Sequence, residues 1–275
     1  MAEDLSRDED ANAHWAEFLE HPDTMYQRAR HVLRRIPSNP RCRLCAAPFQ
    51  GPGAPVMRLI GKGPSDANPN YCNTCANILV KHRGGAEVEA SVLFADIRGS
   101  TSLAEKMSPM AFKQLLDRFY TMASNLVFAN EGMVDKFVGD ELVASYPPNL
   151  GESSHAARAI ATARQLLEAT GHSDPDGPWA PVGAGVHTGR IWFGAVGDGA
   201  HIELTVVGDD VNVAARLAAR AEAGEILVSA AAAEMAGLDA DLERRALELK
   251  GKEQPVEVVS LRIGPPVERA GGGAS

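Results

Sequence analysis

FADIRGST, residues 94–101, closes an apolar run that opens at Val88. Such a run, stopped by Gly99, predicts a buried strand over Val88–Ile97 that turns directly into a helix start. Asp96 then sits at the end of a buried strand. A carboxylate there is costly to bury unless a cation or a donor satisfies it. The turn that follows, Ile97, Gly99, Ser100 and Thr101, offers backbone N–H groups at a helix start, where phosphate binds well. A strand-end carboxylate beside an amide-rich turn suits a metal–nucleotide complex. Read alone, Asp96 is also explained as a helix cap.

Outward from this strand, residues from Glu87 onward alternate between strand and helix patterns. A helix is expected over Pro109–Asn130, then two short strands over Gly132–Tyr146 around a turn at Gly139 and Asp140, and a helix over His155–Ala169. Strands follow at Val182–Val186, Ile191–Val196 and Ile202–Val207. After them come a helix at Val211–Ala221, a strand at Glu225–Ser229, a short Ala-rich helix, and closing strands near Leu242–Leu249 and Val256–Ile263. Helices over a largely antiparallel sheet make an α+β fold.

Two further motifs carry chemistry. In DKFVGDELVASY, residues 135–146, Asp140 occupies a Gly-Asp turn that is ordinary hairpin chemistry by itself. Paired with Asp96, it becomes one of two carboxylates on neighbouring strand ends, able to bridge two Mg2+ ions. In ELTVVGDDVNVAARLAARA, residues 203–221, Asn212 and Arg216 stand four apart and share one helix face. An amide and a guanidinium there can hold a sugar and neutralise a phosphoryl group. Alone, the pair would be surface decoration.

In order and internal spacing, these three segments resemble the catalytic domains of class III adenylate and guanylate cyclases, over roughly Glu87–Ile263. The resemblance implies a ferredoxin-like βαββαβ core and turnover of a nucleoside triphosphate to a cyclic nucleotide and pyrophosphate. It implies that Asp96 and Asp140 bind two Mg2+ (or Mn2+) ions, that Lys136 reads the purine, and that Asn212 and Arg216 orient the ribose and stabilise the transition state. The position seven before the Asn, commonly Asp in adenylate cyclases, is Thr205 here, as in the class IIIb branch. Lys136 can donate to the adenine ring nitrogen and Thr205 can accept from the exocyclic amine, so ATP is expected over GTP. The resemblance also implies a head-to-tail homodimer, with Asp96 and Asp140 from one chain and Lys136, Thr205, Asn212 and Arg216 from the other. A guanylate cyclase, or a regulator that binds nucleotide without turnover, is the alternative.

Ahead of this domain, the apolar spacing of Ala13–Ile36 predicts two short helices broken at Pro22, and Pro37–Asn70, rich in Pro and Gly, predicts loop and turn. Cys42 and Cys45 form one Cys-x-x-Cys pair and Cys72 and Cys75 a second, with 26 residues between. Two such pairs around a loop-rich segment match a four-thiolate site for structural zinc, with an iron–sulfur cluster as the alternative. The expected organisation is a helical segment at 1–36, a four-cysteine module at 37–86, the catalytic domain at 87–265 and a flexible tail at 266–275.

The chain has 275 residues, 45% hydrophobic and 23% charged, a balance suited to a folded globular protein. With no apolar core in its acidic start and no run of about 18 apolar residues, it is expected to be cytoplasmic, with no membrane partner. Its net charge of −9 makes nucleic acid an unlikely partner. Yet Tyr26–Arg83 holds ten Lys and Arg against the single acid Asp66, a basic stretch expected to be a solvated face or a surface that docks on the acidic domain.

Overall fold

The computed structural model describes residues 2–21, 24–151, 153–197, 202–252 and 254–264. Two helices open it, α1 (Ala2–Glu20) and α2 (Thr24–Arg35). The first reaches further back than its apolar spacing suggests; the expected break at Pro22 falls outside the described residues. The Pro- and Gly-rich stretch is mostly turn, but it contains a short helix α3 (Ala54–Leu59), opened by Pro55 in its first turn, where a missing N–H costs nothing. Helix α4 (Asn73–Lys81) starts directly after Cys72.

Strand β1 (Gly84–Ile97) leads into α5 (Ser100–Lys106) and α6 (Pro109–Ala129), the latter capped by the Ser108 hydroxyl on the Ala111 N–H. The hairpin β2 (Met133–Val138) and β3 (Glu141–Tyr146) follows, then α7 (His155–Ala169), capped by Ser154. Strand β4 runs unbroken over Val182–Val196, where two strands were expected. Thr188, Gly189 and Arg190 bridge them, paired in register with Ser91, Ala90 and Glu89 of β1. Then come β5 (Glu203–Val207), α8 (Asp209–Arg220), β6 (Glu225–Ser229), α9 (Ala230–Met235), β7 (Arg244–Leu247) and β8 (Val256–Arg262). The expected tail at 266–275 lies outside the described residues.

The strands form one sheet in the order β2-β3-β1-β4-β6-β8-β7, with β5 on the end of β4. Every pairing is antiparallel except β4 with β6. This is the α+β fold expected from the sequence. Because side chains alternate along a strand, β1 feeds two cores. Leu93, Ala95 and Ile97 pack with α6, α7 and α9 on one face. Val88, Ala90, Val92 and Phe94 pack on the other with Trp15 and Leu19 of α1, the cysteine module and Ala214 and Ala218 of α8. Cover on both faces is why β1 reads as continuous apolar sequence.

The N-terminal region is stitched to the sheet by polar contacts. The Trp15 indole N–H donates to the His82 carbonyl at 2.8 Å, and the Asn12 side chain accepts the Gly85 N–H at 3.0 Å. The basic stretch spends its guanidiniums on main-chain carbonyls: Arg30 on Leu44 and Gly132, Arg41 on Leu33 and Ile36, Arg43 on Asp135. Docking on the catalytic region is thus how Arg30 and Arg43 are used.

Candidate active site

The acidic end of the site is built by β1 and the β2–β3 hairpin. Register pairs Asp96 with Glu141, and Asp140 occupies the turn between Gly139 and Glu141. The hairpin is held from α6, where the Tyr120 hydroxyl donates to the Gly139 carbonyl and its ring stacks on Phe137 with centroids 4.0 Å apart. The Arg98 guanidinium pairs with the Asp96 carboxylate. Burial raises the Asp96 pKa, Arg98 opposes that rise and Asp140 adds to it. Burial, then the charges of Asp96 and Asp140, push Glu141 up to about 7. Three carboxylates answered by one guanidinium leave a surplus of negative potential and of hard oxygen donors, which fits a divalent cation. Gly99, at φ 68°, adopts the left-handed turn that starts α5 at Ser100 and sets Thr101 in its first turn.

Lys136 and Thr205 meet at the other part of the site: the ammonium lies 3.1 Å from Thr205 Oγ1. Thr205 Oγ1 also donates to Asp135 Oδ2 at 2.9 Å, and Lys136 Nζ is 3.7 Å from that same oxygen. Neighbouring residues of a regular strand point to opposite faces. Here the β2–β3 register shifts between Val134 and Lys136, a bulge that turns both Asp135 and Lys136 toward β5. Lys136 and Thr205 line a cavity of about 600 Å³ with Val196, Gly197, Glu203 and the segment Ala67–Asn70 of the cysteine module.

Helix α8 carries Asn212, exposed, and Arg216, half-buried. Its azimuth is fixed by Asp210, which accepts the Arg190 N–H at 2.8 Å and lies 3.2 Å from His187 Nε2. It packs so close to β4 that a Cβ on Gly185 would stand 2.3 Å from the Ala218 nitrogen. The turn at Gly251 lies against the Arg216 guanidinium, and the adjacent Lys252 pairs with Asp209 at the start of α8. Among the described residues, no hydrogen bond or ion pair joins Asp96 or Asp140 to Lys136, Thr205, Asn212 or Arg216.

The four cysteines converge. All are buried, and their sulfurs lie within 4.8 Å of one another. Cys45 and Cys72 Sγ are 3.7 Å apart, and the Cys72 N–H donates to Cys42 Sγ at 3.3 Å. Burial pushes the Cys42 thiol well up, whereas hydrogen bonds from Cys42 and the other cysteines pull Cys72 far down. Four such sulfurs could hold one metal ion. The module is tied to the Lys136–Thr205 end of the site: Asn68 Nδ2 donates to the Ile202 carbonyl at 2.7 Å, and the Leu204 N–H donates to the Tyr71 hydroxyl at 3.1 Å.

Residues 85–261 match the adenylate and guanylate cyclase catalytic domain. The chain belongs to that family. The cyclase domain is 26% identical to the adenylyl cyclase CyaB from P. aeruginosa, at a TM-score of 0.54, covering 67% of this chain and 98% of that one. It shares its fold with the guanylyl cyclase Cya2, at 24% identity and a TM-score of 0.58, covering 67% and 97%. Among curated proteins, an uncharacterised Mycobacterium tuberculosis protein is 32% identical over 183 residues, 64% of this chain and 33% of the relative. The chain thus spans about a third of the curated relatives' length. No helix among the described residues is long and apolar enough to cross a membrane.

Beyond the motif residues, the structure adds Asp135, Arg98 and Glu141 to this cyclase domain's site. Glu141 and Arg98 each stand one or two positions from an expected metal ligand, and that adjacency was their available signal. Asp135 is adjacent to Lys136, but strand alternation sets it on the opposite face, and only the bulge brings the two together.

Proposed function

We propose that the protein is an adenylate cyclase of class IIIb type, converting ATP to 3′,5′-cyclic AMP and pyrophosphate at sites shared across a homodimer. The observation that carries the reading is the meeting of Lys136 and Thr205 in one cavity, 3.1 Å apart. Lys136 donates to the adenine ring nitrogen while Thr205 accepts from the exocyclic amine. Asn212 orients the ribose, and Arg216 neutralises charge developing on the phosphoryl group. Ile97, Gly99, Ser100 and Thr101 cradle the phosphates at the start of α5. Asp96 and Asp140 are the ligands of two Mg2+ or Mn2+ ions, and their surplus negative charge is the feature that fits such ions. When bound, the ions supply Lewis-acid stabilisation of the attacking and leaving oxygens. In the reaction the bond from the ribose 3′-oxygen to the α-phosphorus forms, the bond to the β-phosphate's bridging oxygen breaks, and the hydroxyl proton passes to solvent. No protein nucleophile is required.

Among the described residues, no hydrogen bond or ion pair joins the acidic end to the Lys136–Thr205 pair within one chain, which supports completion of each site by a second copy. Exposed Val138, Val196 and Val207 supply apolar surface for that contact.

For the cysteine module we favour a single zinc ion. Zinc–sulfur bonds of about 2.3 Å put tetrahedral sulfurs about 3.8 Å apart, close to the 3.7 Å between Cys45 and Cys72. A cluster of several irons divides its four thiolates among different irons and so spreads the set over a wider span than one ion does.

The test is turnover of ATP and GTP by the purified protein with Mg2+ or Mn2+, beside Asp96→Ala and Asp140→Ala. Cyclic AMP should form in preference to cyclic GMP, and each variant should lose at least about 100-fold while its oligomeric state is kept. Preference for GTP would make it a guanylate cyclase. No cyclic product from either nucleotide would make it a non-catalytic regulator.

A further inference from the structure

We infer that Asp135 is the positioning residue that sets purine specificity, by fixing which way the Thr205 hydroxyl points its proton. The inference rests on the adenylate cyclase reading and deepens it. Asp135 is 6% exposed, and among the described residues its Oδ1 makes no hydrogen bond. A buried carboxylate of this kind needs a reason to be retained. It is set beside Lys136 by the bulge in β2, braced by the Arg43 guanidinium on its own carbonyl at 2.5 Å, and faced by the Val206 N–H of β5.

The polarity follows from counting protons. An ionised carboxylate only accepts and an ammonium only donates. Thr205 Oγ1 lies 2.9 Å from Asp135 Oδ2 and 3.1 Å from Lys136 Nζ. Its single proton must therefore go to Asp135, while one lone pair takes the proton offered by Lys136. The lone pair left for the cavity is an acceptor. The 6-amino group of adenine meets it as a donor, whereas the 6-oxo group of guanine would meet it oxygen to oxygen. The remaining Lys136 protons repeat the discrimination at the ring, matching the bare N1 of adenine and clashing with the N1–H of guanine. Without Asp135 the hydroxyl could turn its proton into the cavity, and Thr205 would serve either purine. A threonine alone is ambiguous; Asp135 removes the ambiguity.

The first arm of the test uses the unaltered protein and three triphosphates, ATP, inosine triphosphate and purine riboside triphosphate, competing with a fluorescent ATP analogue. Inosine differs from adenosine only in its 6-oxo group and N1–H. Purine riboside keeps the bare N1 and lacks a 6-substituent. Expected is the order ATP, purine riboside, inosine, with ATP at least about tenfold tighter than inosine. Inosine triphosphate binding as well as ATP would overturn the fixed polarity, and this arm needs no variant to fold.

The second arm compares kcat/KM for ATP and GTP. Asp135→Asn should lower the ATP to GTP ratio at least about fivefold. In a Thr205→Val background the same substitution should leave the ratio unchanged, since no hydroxyl remains to orient. A loss of activity equal for both nucleotides would show a merely structural role and overturn the inference. If the unaltered protein prefers GTP, the adenylate cyclase reading fails. If it prefers ATP and Asp135→Asn keeps that preference, only the role of Asp135 fails.

Discussion

Buried titratable side chains set the pH behaviour of this protein. His155, at the start of α7, is buried with its Nδ1 2.8 Å from Ser91 Oγ, and burial, helped by Arg158, lowers its pKa from 6.5 to about 4. Below pH 6.5 the unfolded chain takes a proton that the folded chain refuses. The stability that His155 contributes is therefore complete above about pH 6.5 and is lost as pH falls toward 4. Between pH 7 and pH 5 the wild type should lose about 2 kcal/mol more than His155→Asn in urea melts; parallel losses would contradict it. At this scale the sequence was uneven. Asp96, Asp140, Lys136 and Thr205 stood in motifs whose spacing survives in one dimension. Asp135 was invisible, because strand alternation assigns it to the face opposite Lys136 and the bulge reverses that.

Most elements were legible because their signals are local. The helices expected at Pro109–Asn130 and His155–Ala169 form behind the caps Ser108 and Ser154, and the hairpin turns at Gly139 and Asp140, as read. The join of two expected strands into β4 was not legible. Gly189 resembles a break, but it is small because the Asp210 carboxylate occupies the space its Cβ would need. Gly185 has the same logic against α8. Gly185→Ala would drive a Cβ toward the Ala218 nitrogen and the Ala214 carbonyl, backbone atoms that cannot rotate away. A stability loss of about 1–3 kcal/mol is expected. Displacement of Asn212 and Arg216 should also lower kcat at temperatures where the variant remains folded. Thermal melts with steady-state kinetics check both.

Across the whole molecule, the four-cysteine module and the sheet share one apolar core, and the module's loop walls the cavity lined by Lys136 and Thr205. Metal binding in such a loop-rich segment is folding energy. Metal removal by a chelator under reducing conditions should therefore loosen Tyr71 and Asn68 from β5. The KM for ATP should rise several-fold before the catalytic domain unfolds, and zinc should reverse it. An unchanged KM in metal-free protein, verified by elemental analysis, would detach the module from the site.

In the proposed dimer, Asp96 and Asp140 of one chain act with Lys136, Thr205, Asn212 and Arg216 of another. This sharing is tested most directly by mixing an Asp96→Ala chain with an Arg216→Ala chain, each inactive alone, and measuring cyclic AMP. One of the two sites in such a heterodimer would be intact, so activity should return to about half the wild-type value per heterodimer. A verified heterodimer that stays inactive would contradict the shared site.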